Sequence, residues 1–313
     1  MTTRVLITGG AGYIGSILTE LLIGPPHDIT GFDVVVVDSF MWNQTSLNHL
    51  SCNLNLEIVK GDCRDMRLMG PLLKQCDVFI PLAALVGAPL CEQRQEDAQT
   101  INCEAVDDAV KRLSPDQRVL IPNTNSGYGT VPVGECTEET PSNPLSVYGR
   151  TKQEAENFVL QRRNAVSFRL ATVFGMSPRM RMDLLVNDFV WRAMTDGYVV
   201  LYEPDAMRNY IHIRDVARVF LHGITQIPDG AYNVGLSTAN MSKVGLCKEI
   251  QKQFPSFEVR TSSFGVDPDK RDYVVSNAKI EKSGFMPKFG LGEGIMELRK
   301  GYQQMRRHQY GNV

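Results

Sequence analysis

Short apolar runs alternate with longer amphipathic stretches over the first half of the chain. Val5–Thr8, Val34–Asp38, Leu56–Lys60, Val78–Leu82, Arg118–Pro122 and Val166–Ala171 are brief and mostly apolar, the pattern of strands buried on both faces. Between them Ile14–Leu22, Arg67–Lys74, Ala98–Leu113 and Val147–Arg162 carry the amphipathic pattern of helices. Strands separated by helices predict a parallel sheet covered on both sides. Right-handed crossovers then make a doubly wound α/β fold the natural solution.

From about Phe174 the rhythm changes. Pro178, Pro204, Pro228, Pro255, Pro268 and Pro287 punctuate shorter elements, which predicts a smaller, less regular C-terminal region packed directly on the first. No internal repeat, low-complexity tract or linker interrupts the chain. The expected division places residues 1–174 in one unit, with 209–236 returning to it, and residues 175–208 and 237–313 in the other.

Composition narrows the classes. A chain of 313 residues with 43% hydrophobic and 22% charged residues is ordinary for a globular protein. A net charge of −2 gives no basic face with which to argue for nucleic acid or an anionic membrane. The longest apolar run is too short to span a bilayer. The seven cysteines are scattered and form no C-x-x-C pair, and no signal peptide precedes the first strand, so reduced thiols and a cytoplasmic location are expected. The five histidines lack ligand spacing, and no metal site is expected.

The segment Val5-Leu-Ile-Thr-Gly9-Gly-Ala-Gly12-Tyr13-Ile14-Gly15 sets a buried strand before three spaced glycines and a helix after them. Gly9 permits a tight turn, Gly12 lets backbone approach a pyrophosphate, and Gly15 allows close helix–strand packing. The helix start offers free N–H groups and a positive dipole end. Val34-Val-Val-Val-Asp38 ends a second strand on a carboxylate, placed to accept hydrogen bonds from an adenosine ribose. That anion repels a 2′-phosphate, and no Arg follows it, so NAD is favoured over NADP. Asp62 and Cys63, after the third strand, are candidates for the adenine, with a plain turn as the alternative for Asp62. Leu82, Ala83 and Ala84, after the fourth strand, join Tyr13 and Ile14 in the expected cofactor set, and Leu85-Val86-Gly87 are candidates to line a nicotinamide pocket.

Ser146-Val-Tyr148-Gly-Arg-Thr-Lys152 opens a later helix, and the four-residue spacing sets Tyr148 and Lys152 on one face. A free phenol with a pKa near ~10 is a poor base at neutral pH. A neighbouring ammonium, helped by the positive nicotinamide ring, stabilises the phenolate.

Together these motifs resemble the extended short-chain dehydrogenase/reductase family over nearly the whole chain. The resemblance implies a Rossmann sheet that binds NAD and a smaller region that binds a nucleotide-diphosphate sugar. It implies a triad of Thr124, Tyr148 and Lys152, since Thr124 stands four residues before Tyr128-Gly129. Tyr148 would remove a hydroxyl proton while hydride passes to NAD; Lys152 would tune Tyr148 and hold a ribose; Thr124 would orient the oxygen. Family dehydratases carry Asp-Glu directly after the Thr, decarboxylating relatives carry Glu and 3,5-epimerases Cys at the second position. Asn125 and Ser126 stand there instead, leaving oxidation or epimerisation at C4.

Arg208 in Arg208-Asn-Tyr-Ile-His-Ile-Arg-Asp215 resembles the family residue that grips the diphosphate, and a guanidinium fork suits that task. Arg271 in Asp267-Pro-Asp-Lys-Arg271-Asp-Tyr273 resembles a second phosphate contact. Ser126, Thr172 and Asn187 complete the expected substrate set, Asn187 facing sugar or base. Arg214 and Asp215 are expected to cap a helix or pair with each other, Ser242 and Ser276 to act as N-caps, and Tyr128 and Tyr210 to pack. Pro81–Pro89, Asn123–Tyr128, Ser177-Pro-Arg-Met-Arg181 and Asp267–Arg271 are similar to a capsule-locus subgroup that includes a dehydrogenase acting at C4 of a GDP-linked heptose. The leading expectation is NAD-dependent C4 oxidation of such a nucleotide sugar. The alternatives are a nucleotide-sugar 4-epimerase of the UDP-glucose type and a non-catalytic NAD sensor. The family also implies a homodimer built on Ala98–Leu113 and Val147–Arg162.

Overall fold

Extended backbone sends successive side chains to opposite faces, so a strand covered on both sides is apolar at every position. The computed structural model, which describes residues 2–24, 31–225, 227–262 and 271–305, is built around strands of this kind. β1 (Thr3–Thr8) leads into α1 (Tyr13–Ile23), followed by β2 (Phe32–Asp38), β3 (Leu56–Lys60), α2 (Met66–Gln75) and β4 (Val78–Pro81). The chain then winds through α3 (Ala88–Gln93), α4 (Gln95–Gln99), a π turn at Thr100–Glu104 and α5 (Ala105–Val110) into β5 (Arg118–Thr124). A 3-10 turn at Asn125–Tyr128 precedes β6 (Thr130–Cys136), α6 (Val147–Val159) and β7 (Ala165–Leu170).

Val5, Ile7, Val34, Val36, Ile80, Leu120 and Phe168 enter one core. Their neighbours Leu6, Val35, Val37, Phe79, Val119 and Ile121 enter a second core on the other face. The first core takes Ile17, Leu18 and Leu22 from α1; the second takes Met69 and Leu73 from α2, Val106 and Ala109 from α5, and Ala155 and Val159 from α6. The result is the expected doubly wound sheet.

The rest of the described chain is β8 (Thr172–Phe174), α7 (Leu185–Thr195), β9 (Tyr198–Leu201), β10 (Met207–His212), α8 (Ile213–Thr225) and β11 (Gly230–Val234). It continues through β12 (Asn240–Ser242), α9 (Lys243–Gln251), β13 (Glu258–Thr261), β14 (Asp272–Val275), α10 (Ala278–Lys282) and α11 (Leu291–Tyr302). β11 pairs in parallel with β7, giving a seven-stranded parallel sheet in the order β11-β7-β5-β4-β1-β2-β3. The order reverses between β1 and β4, so the loops after these two strands diverge and leave a crevice at their C-terminal ends. α8 packs against α1, while β8, β10 and β12 form a separate small sheet, with pairs β9–β13 and β6–β14 beside it.

Three local expectations change. The helix expected over Ala98–Leu113 is a bent path from Ala88 to Val110, interrupted by the π turn. Arg214 and Asp215 do not pair with each other: Arg214 reaches Glu297 at 3.3 Å, and Asp215 pairs with Arg218 and accepts the N–H groups of Lys288 (3.0 Å) and Phe289 (2.9 Å). Ser242 does cap α9, accepting the Gly245 N–H at 3.2 Å, but α10 starts after Asn277 and Ser276 lies outside it. Tyr128 and Tyr210 are buried as expected.

Candidate active site

The turn after β1 has no room for side chains at two of its glycines. Gly9 has φ +73°, and a Cβ there would lie 2.6 Å from the Ala83 backbone nitrogen at the end of β4. At Gly15 a Cβ would meet the Gly9 carbonyl oxygen at 2.4 Å. The turn is therefore folded as tightly as backbone allows, and α1 begins directly behind it with Gly12 as N-cap and no side chain over its end. Unshielded N–H groups at a helix start suit an anion such as a pyrophosphate.

Asp38 closes this turn from β2. Its carboxylate is buried and accepts the N–H groups of Ala11 (3.0 Å) and Phe40 (2.8 Å) and the Gln44 amide (3.1 Å). Burial raises its pKa, and those hydrogen bonds oppose the rise. Oδ1 takes the Phe40 and Gln44 donors, while Oδ2 takes only the Ala11 N–H and keeps lone-pair capacity for a further donor such as a ribose hydroxyl.

On the β4 side, Leu82 N–H donates to the Thr8 carbonyl at 2.9 Å, and Thr8, Cys63, Pro81, Ala83 and Ile101 line one small cavity. The thiol of Cys63 is pushed up to about 12 by burial, so it acts as an apolar wall. Asp62 pairs with Arg64 (2.7 Å), which also reaches Asp97.

The Leu85 backbone is gripped by a residue that sequence reasoning missed. Asn102, in the π turn, accepts the Leu85 N–H (2.8 Å), donates to the Leu85 carbonyl (3.0 Å) and donates to Thr151 Oγ1 (3.2 Å). A widened turn is the local signature of such a site, yet residue spacing alone does not reveal it. Leu85 in turn packs with Cys91, Ala98 and Val147 against Tyr148.

α6 is started by Ser146, whose hydroxyl accepts the Gly149 N–H at 3.1 Å. Lys152 is deeply buried, and burial pushes its pKa down to about 8, against the opposing pull of Glu156 and Cys103. No hydrogen bond to its ammonium arises among the described residues, so the donor is available for a ligand oxygen. Burial likewise pushes the Tyr148 phenol up to about 12. The cations that oppose this are Arg181 and Arg271, while Cys91 adds to it. Lys152, although one turn away on α6, is not among the charges that lower the phenol's pKa in this structure.

Thr124 ends β5 with its hydroxyl 2.6 Å from that of Ser126, and it accepts the Ser126 N–H at 3.1 Å. Asn125, between them, is buried. The turn offers hydroxyls and an amide but no group that exchanges protons at neutral pH.

Asn187 is wholly buried; its amide accepts the Gly175 N–H (3.1 Å) and donates to Tyr13 Oη (3.2 Å) and the Arg181 carbonyl (2.8 Å). Tyr13 donates to the Gly175 carbonyl (2.7 Å), so both side chains form a joint between α1 and the segment after β8. Ile14 is half-buried beside them, and Ala84 follows Ala83 in the β4 loop. Thr172 stands opposite Tyr210 in β10. Arg208 is buried and donates to the backbone carbonyls of Met207 and Arg271, with its guanidinium 5.9 Å above Tyr273. Arg271 therefore meets both Arg208 and the field of Tyr148; Asp267 and Lys270 lie outside the described residues. Arg179 and Arg181 are further buried cations, Arg179 acting on Asp38 and Arg181 paired with Asp183 at 2.5 Å. Both stand in the Ser177–Arg181 motif, which was the signal that could have singled them out.

The buried ammonium carries a cost. A folded-state pKa of about 8 against an ordinary 10.5 means that the unfolded chain binds the proton more tightly between those values. Stability contributed by this site is therefore lowest below pH 8 and rises towards pH 10.5. Lys152→Met is expected to be more stable than the parent at pH 7 by up to about 3 kcal/mol, with the gain shrinking at pH 10. Urea denaturation at the two pH values checks this; equal stability at pH 7 would show the ammonium to be solvated.

The profile of the NAD dependent epimerase/dehydratase family matches residues 5–235. UDP-glucuronic acid decarboxylase 1 of Arabidopsis thaliana is 26% identical, over 94% of this chain and 68% of that protein. The low-salt glycan biosynthesis protein Agl12 of Haloferax volcanii is also 26% identical, over 93% and 96%. Among solved structures, UDP-glucuronic acid 4-epimerase of Bacillus cereus in complex with UDP-glucuronic acid and NAD superposes with a TM-score of 0.83 at 20% identity, covering 96% of this chain and 99% of that one. UDP-N-acetylglucosamine 4-epimerase of Methanobrevibacter ruminantium has the same TM-score at 23% identity, covering 97% and 100%. These last two likenesses are of fold.

Proposed function

The chain belongs to the NAD-dependent epimerase/dehydratase family, and on that footing we propose that this enzyme oxidises C4 of a nucleotide-diphosphate sugar. In this reading the Gly9–Gly15 turn and the start of α1 hold the pyrophosphate, Asp38 holds the adenosine ribose, and Lys152 holds the second ribose. NAD when bound supplies the hydride acceptor. Thr124 donates its hydroxyl towards the reacting oxygen and Tyr148 takes the proton from it. Lys152 keeps positive charge beside the Tyr148 phenolate that accepts this proton and becomes the neutral phenol. Arg208 and Arg271 are assigned to the diphosphate, with Arg181 as a third cation on the same side.

The observation that carries the choice of reaction is the Thr124–Asn125–Ser126 turn. Removing water from the sugar needs an acid and a base beside the ring. The hydroxyl pair of Thr124 and Ser126 at 2.6 Å supplies neither. Oxidation at C4, by contrast, needs only an orienting hydroxyl and Tyr148. Epimerisation at C4 starts with the same step and ends with hydride returned to the other face, so it is the second reading. The curated relative named for UDP-glucuronic acid makes UDP sugars the first choice of substrate, and the resemblance to the capsule-locus subgroup makes GDP-heptose-type sugars the second.

Purified protein should be mixed with panels of UDP and GDP sugars and followed at 340 nm and by proton NMR. A rise in NADH stoichiometric with enzyme, with a 4-keto sugar, is expected. A C4 epimer without net NADH selects the second reading. Release of carbon dioxide or a 4-keto-6-deoxy product would refute both.

A further inference from the structure

We infer that Arg169 is a positioning residue, holding the two halves of the triad, α6 and the Thr124–Tyr128 turn, at a fixed separation through Glu156 on one side and Tyr128 on the other. The inference rests on the reading of Thr124, Tyr148 and Lys152 as the reacting group.

Glu156 lies one turn beyond Lys152 and two beyond Tyr148 on the same face of α6, and it is wholly buried. Its Oε1 accepts the Ser167 hydroxyl at 2.5 Å and Arg169 Nε at 3.1 Å; its Oε2 accepts Arg169 Nη2 at 2.9 Å. One edge of the guanidinium is thus committed to α6. Nη1, on the other edge, donates to Tyr128 Oη at 3.0 Å and to the Glu138 carbonyl at 3.0 Å. Tyr128 donates onward to Asn233 Oδ1 at 2.6 Å, and its ring lies 5.5 Å from the guanidinium carbon. Tyr128 is the last residue of the 3-10 turn for which Thr124 is the N-cap.

One planar group on β7 therefore bonds at the same time to the helix that carries Tyr148 and Lys152 and to the turn that carries Thr124. The guanidinium is rigid, so a shift of α6 relative to the turn breaks one set of bonds or the other. Stability alone is a poor reason for such an arrangement, because a buried ion pair is often no more stabilising than an apolar pair of equal volume. Geometry is the better reason. Reacting groups lose about 10²-fold in rate when misplaced by about 1 Å.

Tyr128→Phe keeps the ring and removes only the hydroxyl link, and Arg169→Lys keeps the charge beside Glu156 but cannot bridge both partners. Tyr128→Phe is expected to lower kcat roughly tenfold and Arg169→Lys roughly 100-fold, with KM and bound NAD unchanged in both. Loss of melting temperature with kcat intact in Tyr128→Phe would overturn the inference, whether or not Arg169→Lys folds. A substrate-free arm follows amide exchange in Glu156→Gln. The N–H groups of Ser126 and Gly129 should lose protection although the change lies in α6; unaltered exchange there would equally overturn it. A parent enzyme that converts no nucleotide sugar would count against the proposed reaction, while the exchange arm still decides the linkage.

Discussion

Tyr148→Phe should lower turnover about 10³-fold while the protein keeps its fold and its NAD. The substitution removes one oxygen from a ring packed against Leu85, Cys91, Ala98 and Val147, so packing is preserved. What is lost is the oxygen that the proposed mechanism uses to take the hydroxyl proton. The phenol is a demanding choice of base here, since burial pushes it up to about 12 and only Arg181 and Arg271 pull against that. The base therefore becomes effective only when further positive charge stands beside it. Lys152, which is not among the charges acting on the phenol in this structure, loses its own proton as pH rises through about 8. Single-turnover NADH formation in parent and variant, with bound NAD measured after denaturation, checks the expectation. Turnover within threefold of the parent would remove Tyr148 from the mechanism.

Gly9→Ala should abolish NAD retention and destabilise the fold by about 2–5 kcal/mol. Two costs add. The residue has φ +73°, a conformation that L side chains avoid. Its new Cβ would also lie 2.6 Å and 2.7 Å from the Ala83 nitrogen and Cα, which are backbone atoms and cannot rotate aside. Relief requires β1 and β4 to part at the point where the sheet order reverses, and this widens the turn assigned above to the pyrophosphate. Gly12→Ala is the comparison, since a Cβ there meets only the Gly9 carbonyl oxygen at 3.0 Å. Cofactor content and urea denaturation measured together test the pair. A Gly9→Ala protein that retains full NAD would show that the turn can relax without consequence.

Much of this protein was legible from local pattern. Continuous valines in β2 require cover on both faces, and that requirement, repeated over successive strands, leads to a parallel sheet with helices on each side. The glycine spacing after β1 and the Tyr148–Lys152 spacing are also local, because a turn and a helix fix the relative positions of residues a few places apart. Side-chain roles decided by distant partners were less legible. Tyr13 and Asn187 join in hydrogen bonds that span 162 and 174 residues, a partnership no spacing along the chain reveals. Asp215, expected to cap a helix or pair with Arg214, accepts the backbone N–H groups of Lys288 and Phe289.

The sequence by itself determined the strand–helix rhythm, the turn that only glycine can make, and the pairing of a tyrosine with a lysine on one helix face. Each of these follows from backbone geometry and the period of burial over a few residues. Only the tertiary structure decided that Asn102 grips Leu85, that Arg181 and Arg271 act on Tyr148, and that Arg169 ties Glu156 to Tyr128. Those contacts exist because the sheet order brings β4, β5 and β7 side by side with α6 against them. No spacing along the chain encodes which buried donor will find which buried acceptor across that sheet.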